Sequence, residues 1–268
     1  MKKLYHFLGH QINGLFPFLY PMKNVFLKFK FFKGFYYFWS DYRKYKKAYK
    51  KGGAFPLKLF DIYPAYYDRF ENAGNASGYY FYQDLWGASK VFKSGIKKHY
   101  DIGSRVDGFI AHCLAFTKVV MMDVRPLKNE VKNLEFIKCD CMNMSNIESD
   151  SISSLSTLHA VEHFGLGRYG DPVDPEGYLK AVSEIKRIVS RGGNLYFSVP
   201  VGVERLEFNG HRVFNPHHVV EMFSGFDLKE FSAVDDRDIF IEKADLNEFV
   251  NSKFSCGLFH FIKRQTSL

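Results

Sequence analysis

At 268 residues with a formal net charge of +8, the chain is long enough for one sizeable domain with an appendage. Its charge is uneven, because residues 1–51 hold 12 Lys/Arg and one acid, whereas residues 52–268 hold 25 basic and 28 acidic residues. No run of about 20 apolar residues predicts a transmembrane helix, and the four cysteines, without a C-x-x-C spacing, indicate reduced thiols in a cytosolic protein rather than a disulfide framework.

Residues 1–51 form a basic arm in which Phe, Tyr and Trp alternate with Lys and Arg. We favour an amphipathic segment that lies on an anionic membrane surface. A helical arm packed on its own domain or on a partner subunit is the second interpretation, and nucleic-acid binding is the least favoured. Gly52-Gly53 marks a linker, so the predicted domains are an arm, 1–51, and a body, 52–268.

The body alternates strand and helix patterns after an extended stretch at 54–70. A helix is predicted over 79–92, and Arg191-Gly192-Gly193 is predicted to close the helix at 176–189. This alternation predicts an α/β fold with a mostly parallel sheet and helices on both faces. The predicted strands are 99–103, 118–124, 134–140, 151–160, 194–201, 226–234 and 257–263, and the remaining predicted helices are 106–116 and 216–223.

Residues 98–125 combine a strand, a glycine turn, a helix and a second strand that ends in an acid, which is the first half of a nucleotide-binding unit. Gly103 permits the sharp turn, and Asp123 stands where a carboxylate accepts the hydroxyls of a ribose. Arg105 replaces the second glycine that a pyrophosphate requires, and Asp101 suits a cationic amine. The pattern therefore favours S-adenosylmethionine over NAD or FAD, while a strand–turn–helix without any ligand remains the alternative.

Longer stretches carry a family resemblance: D-I-G-S-R-V-D-G-F-I-A-H, M-D-V-R-P-L, L-H-A-V-E-H-F-G-L-G-R-Y-G-D-P-V-D-P, R-G-G-N-L-Y-F-S-V-P and F-N-G-H-R-V-F-N-P. Together they resemble, over about residues 79–235, a bacterial and nematode domain family of unknown function that is similar to class I S-adenosylmethionine-dependent methyltransferases. The resemblance implies a Rossmann-like, seven-stranded sheet whose last strand is antiparallel, at the sheet's edge.

The same resemblance implies a cofactor site. Asp101 and Gly103 would lie beside the methionine moiety, Asp123 on the ribose hydroxyls, and Asp140 with Cys141 beside the adenine. Arg105 departs from the family's second glycine, which leaves open a non-catalytic scaffold that keeps the fold without the cofactor. The predicted cofactor-binding set is completed by Ser104, Arg105, Gly108, Val124 and His159.

His159 to His163 spell H-x-x-E-H, a zinc-hydrolase motif in which two histidines one helical turn apart bind the metal. The preceding serine-rich, strand-like residues and the glycines that follow argue against the helix that this motif needs. We therefore predict no metal site, and the zinc hydrolase stays a distant alternative.

The sequence thus predicts an S-adenosylmethionine-dependent methyltransferase. We expect it to methylate an oxygen of a sugar or glycan intermediate at the cytoplasmic face of a membrane, with the protein cytoplasmic or peripheral on the inner membrane. His163 is the predicted general base and Glu162 orients it or binds the acceptor. His211 is the second candidate base, or it binds an anionic acceptor together with Arg212.

Overall fold

The computed structural model describes residues 20–49, 54–55, 57 and 62–265. Its contacts divide the chain into two compact units, Met1–Asn75 and Ala76–Leu268. This division falls beyond the predicted boundary after residue 51, and the Gly52-Gly53 linker predicted there lies outside the described residues.

The first unit is built on one long helix, α1 (Tyr20–Ala48). The rings of Phe31 and Phe38 pack against Tyr66, with ring centroids 5.1 and 5.7 Å apart. Gly34 lies directly against the backbone of Tyr66, where a side chain would collide with it. One face of α1 is therefore covered by the segment that follows the helix, which also contains a single 3₁₀ turn at Asp68–Phe70. None of the described helices is both long and apolar enough to cross a bilayer.

The second unit contains an eight-stranded sheet in the order β3-β2-β1-β4-β5-β10-β8-β9. The first five strands of this order are parallel, whereas β10 runs antiparallel to both β5 and β8. The strands are β1 (Lys98–Ile102), β2 (Lys118–Asp123), β3 (Leu134–Lys138), β4 (Ile152–Leu158), β5 (Val189–Val201), β8 (Phe226–Val234), β9 (Phe240–Ile241) and β10 (Ser255–Lys263).

The Rossmann-like prediction of a mostly parallel sheet with antiparallel strands at one edge is confirmed. Two details differ from it. The last strand of the chain, β10, is inserted between β5 and β8, and the two-residue β9 adds an eighth strand. A separate hairpin, β6 (Arg205–Glu207) and β7 (His211–Val213), was not predicted, because strands of three residues leave no readable alternation.

Helices cover both faces of this sheet. They are α2 (Tyr79–Ser94), α3 (Ala111–Leu114), α4 (Gly177–Ile188) and α5 (Pro216–Met222), with 3₁₀ turns at Val161–His163 and Leu246–Phe249. The helix predicted over 106–116 is a π-helical turn, Val106–Ile110, followed by α3, because the backbone kinks at Gly108 (φ −123°, ψ −106°). Arg191-Gly192-Gly193, predicted to close the helix at 176–189, lies within β5, which follows α4 without a connecting loop.

The core lies on the two faces of the sheet. One buried cluster includes Ile185 of α4 with Phe197 and Phe259, and the other includes Trp86 of α2 with Phe109. Since β1 to β4 are parallel, their carboxyl ends meet at one edge of the sheet, where ligands of open α/β sheets bind.

Candidate functional site

The carboxyl ends of β1 to β4 surround a cavity of about 530 Å³, called here the inner cavity. A wider, more open cavity of about 1240 Å³, the outer cavity, adjoins it. The two cavities share six lining residues: Gly103, Asp123, Arg125, His159, His163 and Tyr169.

The turn after β1 is shaped by Gly103, whose φ of +69° is unfavourable for other residues. A Cβ at this position would also lie 3.1 Å from the Cβ of Ala160. Arg105 has an ordinary φ of −71°, so the turn requires no glycine there. Its guanidinium pairs with Asp107 at 3.1 and 3.0 Å, which makes the departure from the family's glycine compatible with this turn.

Asp101 stabilises the turn through hydrogen bonds rather than facing a ligand. Its carboxylate is fully buried, lines neither cavity, and accepts hydrogen bonds from the backbone N–H (2.9 Å) and hydroxyl (2.7 Å) of Ser104 and from the hydroxyl of Ser156. Burial raises the pKa of Asp101 to about 6. The predicted contact of Asp101 with a cofactor amine therefore does not fit, because its oxygens are used in holding the turn.

Two other residues of the predicted set also have structural roles. The Ser104 hydroxyl accepts from the backbone N–H of Leu158 at 3.2 Å and so links the turn to β4, although Ser104 also lines the outer cavity. Gly108 lines neither cavity, because it packs against Asp84 of α2, where a Cβ would lie 2.1 Å from a carboxylate oxygen.

The residues predicted at the ends of β2 and β3 line the inner cavity together: Asp123, Val124, Asp140 and Cys141. Asp123 is buried, and the Arg125 guanidinium binds its carboxylate at 2.7 Å. One oxygen of Asp140 accepts the backbone N–H of Met142 at 2.9 Å. These positions place two acidic side chains, those of Asp123 and Asp140, in the lining of one cavity.

His159 ends β4 in the left-handed region, with φ +52°, which is rare for a residue with a side chain. Both of its ring nitrogens are occupied, Nδ1 by Glu162 Oε1 at 3.0 Å and Nε2 by the Cys256 thiol at 3.3 Å. Burial would lower the pKa of His159, but Cys256 and Glu162 outweigh it and raise that pKa well above its usual value. His159, which lines both cavities, thus forms an ion pair with the buried Glu162.

Glu162 itself is buried and lines neither cavity. Burial would raise the pKa of Glu162, but His159 and His163 lower it, so the carboxylate is ionised. Its second oxygen, Oε2, has no hydrogen-bond partner among the residues that the structure describes. The contacts of the Glu162 carboxylate are therefore with its histidine neighbours, His159 and His163, and not with either cavity.

His163 lines both cavities. Its Nδ1 lies 2.7 Å from the carbonyl oxygen of Gly210 and 3.3 Å from Arg168 Nη1. The shorter contact is to a group that can only accept, so Nδ1 carries the proton and Nε2 is the basic nitrogen. Arg168 donates to the same carbonyl at 2.7 Å, and Glu162 Oε1 lies 3.6 Å from Nε2. Burial lowers the pKa of His163, which keeps the ring neutral near pH 7.

His211 and Arg212 do not fit the role of acceptor-binding residues. His211 lines neither cavity, and its Nε2 lies 3.2 Å from Glu207 in the hairpin without good hydrogen-bond geometry. The Arg212 guanidinium is directed at the carbonyl oxygens of Phe164 (2.7 Å) and Pro175 (3.2 Å). Arg212, which lies in β7, therefore links this strand by hydrogen bonds to the loop that follows β4.

The zinc-hydrolase alternative lacks its helix. Only a single 3₁₀ turn, Val161–His163, follows His159, so the two histidines do not share the face of an α-helix. Across the described ranges of the chain, no group of three or more His, Cys, Asp and Glu is placed to hold a metal ion.

Arg125 was not predicted as a site residue, and Arg168 and Tyr169 were expected only as part of a rim formed by residues 165–174. The ring of Tyr169 lies under the guanidinium groups of Arg125 (4.4 Å) and Arg168 (5.1 Å). Asp123-Val124-Arg125 does carry a local signal, because an acid two residues before an arginine can accept both its backbone N–H and its guanidinium.

The profile of the family described as Caenorhabditis protein of unknown function, DUF268, matches residues 119–256, from β2 into β10. The chain belongs to this family. Among curated protein sequences, none matches the DUF268 chain.

Solved structures with the same fold include methyltransferases. The Burkholderia thailandensis 1,6-didemethyltoxoflavin-N1-methyltransferase, crystallised with 1,6-didemethyltoxoflavin and S-adenosylhomocysteine, has a TM-score of 0.51 at 13% identity, over 68% of this chain and 79% of its own. The [4+2]-cyclase SpnF also has a TM-score of 0.51 at 13% identity, over 72% of this chain and 85% of its own. The DUF268 chain therefore has the class I methyltransferase fold, a fold that does not by itself define the reaction.

Proposed function

We propose that this DUF268 protein binds S-adenosylmethionine in the inner cavity and is a methyltransferase. The observation that carries the proposal is the convergence on one cavity of the Gly103 turn, Asp123 at the end of β2, and Asp140 with Cys141 after β3. A carboxylate at the end of the second strand suits ribose hydroxyls. The bound S-adenosylhomocysteine of the Burkholderia methyltransferase supports the same ligand class.

S-adenosylmethionine supplies a methyl group on a positively charged sulfur. Asp123 accepts hydrogen bonds from the ribose, and Gly103 allows the backbone to approach the ligand closely. His163, which lines both cavities, accepts the proton of an acceptor hydroxyl through Nε2. Glu162, 3.6 Å from that nitrogen, stabilises the imidazolium that results.

The acceptor proposed is a sugar or glycan hydroxyl. The outer cavity is wide and is lined by hydrogen-bonding side chains and aromatic rings, among them Tyr80, Arg105 and Tyr169. Arginine guanidinium groups donate several hydrogen bonds, and aromatic rings offer flat apolar faces, so this lining suits a molecule rich in hydroxyl groups.

We propose that the acceptor is reached at a membrane surface through α1. The face of α1 opposite Tyr66 exposes Phe29, Phe32 and Tyr36, which are 58%, 67% and 69% exposed. These residues follow the spacing of one helical face, and the exposed Arg43 and Lys47 extend it. Aromatic rings at headgroup depth together with basic residues suit an anionic lipid surface.

Calorimetry with S-adenosylhomocysteine tests the cofactor site. Because a hydrogen bond to a charged group contributes about 1.5–3 kcal/mol, we expect Asp123→Ala to weaken binding about ten- to a hundred-fold. Asp227→Ala, which removes a half-buried acid of β8 that lines neither cavity, is the control and should bind as the wild type does. Absence of binding to the wild-type chain would instead favour the non-catalytic scaffold.

A further inference from the structure

Arg125 occupies the carboxylate that the proposed cofactor needs. Asp123 Oδ1 accepts the backbone N–H of Arg125 at 2.8 Å and its Nε at 3.0 Å, and Oδ2 accepts a terminal guanidinium nitrogen at 2.7 Å. The Asp123 side chain is 7% exposed, so solvent has little access to its remaining lone pair.

The number of acceptor positions limits what can bind beside Arg125. An ionised carboxylate offers about four lone-pair positions, and Arg125 uses three of them. Two ribose hydroxyls need two positions, so the carboxylate cannot accept both while the guanidinium stays in place. The backbone N–H of Arg125 need not move, because it takes only one position.

The Arg125 guanidinium can also be stabilised away from Asp123, by the Tyr169 ring. It lies 4.4 Å from the centroid of the Tyr169 ring, the Arg125 side chain is 49% exposed, and Arg125 lines both cavities. A cation over an aromatic face is stabilised without a carboxylate. Arg125 can therefore leave Asp123 and turn toward the outer cavity without becoming a buried, unpaired charge.

We propose that Arg125 acts as a latch in the inner cavity: its guanidinium occupies the Asp123 carboxylate until the ribose hydroxyls of a bound ligand displace it. This inference rests on the proposed cofactor site. Arg125 then lowers the affinity for the ligand, because its ion pair with Asp123 must break each time a ligand binds. It also favours ligands with two adjacent hydroxyls, since these can replace both guanidinium contacts.

The chain contains a matched control for this geometry. Asp235 accepts the backbone N–H of Arg237 at 2.9 Å and its guanidinium at 2.9 and 2.8 Å, which is the same acid–x–arginine arrangement. Asp235 and Arg237 line neither the inner nor the outer cavity. A purely structural role for Arg125 predicts that the two arginines behave alike, whereas the latch predicts that only Arg125 affects ligand binding.

The test is calorimetric titration of the full chain with S-adenosylhomocysteine. We expect Arg125→Ala and the neutral, similarly long Arg125→Gln to bind about tenfold more tightly than the wild type, a change of about 1.4 kcal/mol. Arg237→Ala should bind as the wild type does. Comparison of adenosine with 2′-deoxyadenosine should show a larger contribution of the 2′-hydroxyl in Arg125→Ala than in the wild type.

A double-mutant cycle separates this inference from the proposed function. Asp123→Ala should cost more affinity in the Arg125→Ala background than in the wild-type background, because the carboxylate is then free of its competitor. Equal or weaker binding by both Arg125 variants, with the wild type still binding, overturns the latch and leaves the cofactor site standing. If neither the wild type nor any variant binds, both the proposed cofactor site and the latch are wrong. If only the Arg125 variants bind, the latch is supported.

Discussion

Among single residues, His163 shows how hydrogen bonds assign a chemical role. The Gly210 carbonyl fixes the proton on Nδ1. Nε2 lies 3.6 Å from Glu162 Oε1, and the residue lines both cavities. His159, four residues earlier, has both nitrogens engaged by Glu162 and Cys256 and is held as a cation. The sequence H-x-x-E-H thus contains one structural histidine and one histidine suited to accept a proton.

The protonation of His163 can be measured without an acceptor. Burial and the nearby Arg168 lower the pKa of His163, while Glu162 and the Gly210 carbonyl oppose them. We expect nitrogen NMR shifts to place the proton on Nδ1 at pH 7, and the titration to lie below pH 6.5. Arg168→Ala should raise the pKa of His163, whereas the distant Arg237→Ala should not. A proton on Nε2, or a pKa unmoved by Arg168→Ala, contradicts the assignment of Nε2 as the base.

Beneath the Gly103 turn, His99 is fully buried between the hydroxyls of Ser154 and Ser156, each 2.8 Å away. Burial lowers the pKa of His99 from 6.5 to about 3. Because the folded pKa is depressed, the unfolded chain binds the extra proton first, and stability that is complete above pH 6.5 is lost as the pH falls toward 3. The neighbouring Asp101, with its pKa raised to about 6, offsets part of this loss between pH 6 and 3.8.

We therefore expect the free energy of unfolding of the wild type to fall by about 2 kcal/mol between pH 7.5 and pH 5 on account of His99. The variant His99→Asn, although less stable at pH 7.5, should lack this dependence. Urea unfolding at both values, with the exposed His217→Asn as control, makes the comparison. Parallel losses in the wild type and His99→Asn would show that His99 does not control the acid response.

At the scale of elements, the alternation of strands and helices was readable because strands such as β2 carry an apolar run, Val119 to Met122, and helices such as α4 carry an apolar face. The carboxyl-end positions of Gly103, Asp123 and Asp140 followed from the order of those elements. The roles of Asp101 and Gly108 could not be read in this way. Each depends on a contact with a distant segment, Ser156 of β4 and Asp84 of α2 respectively.

The turn between β1 and the following helix offers a test of its own. Gly103 and Gly95 have nearly the same φ, +69° and +66°, but only Gly103 has a neighbour, Ala160, within reach of an added Cβ. We expect Gly103→Ala and Gly95→Ala each to cost about 1–2 kcal/mol of stability from the left-handed backbone. Only Gly103→Ala should also weaken S-adenosylhomocysteine binding, by at least tenfold. Equal affinity in the two variants would remove the turn from the ligand site.

For the whole molecule, the uneven charge coincides with the division into two units. The first unit, residues 1–75, holds 14 Lys/Arg and 4 Asp/Glu, whereas residues 76–268 hold 23 basic and 25 acidic residues. The cavity that carries the proposed chemistry belongs to the second unit. We therefore propose that the two units have different roles: the first binds an anionic membrane surface, and the second binds the cofactor and the acceptor.

The surface proposed for α1 predicts a specific defect when its aromatic residues are removed. The triple variant Phe29→Ser/Phe32→Ser/Tyr36→Ser removes three exposed rings from the face opposite Tyr66 and leaves the charge unchanged. We expect its sedimentation with vesicles of anionic lipid to fall about tenfold relative to the wild type, because apolar burial at the interface is lost. The control Phe92→Ser/Phe208→Ser/Ile239→Ser removes three side chains of the second unit that are 65%, 75% and 49% exposed, and it should sediment as the wild type does.

Raised salt or uncharged lipid should weaken wild-type binding, because the basic residues of the arm contribute through the surface potential. Equal losses in the two triple variants, or binding that ignores both salt and lipid charge, would contradict a role for α1 as a membrane-binding helix.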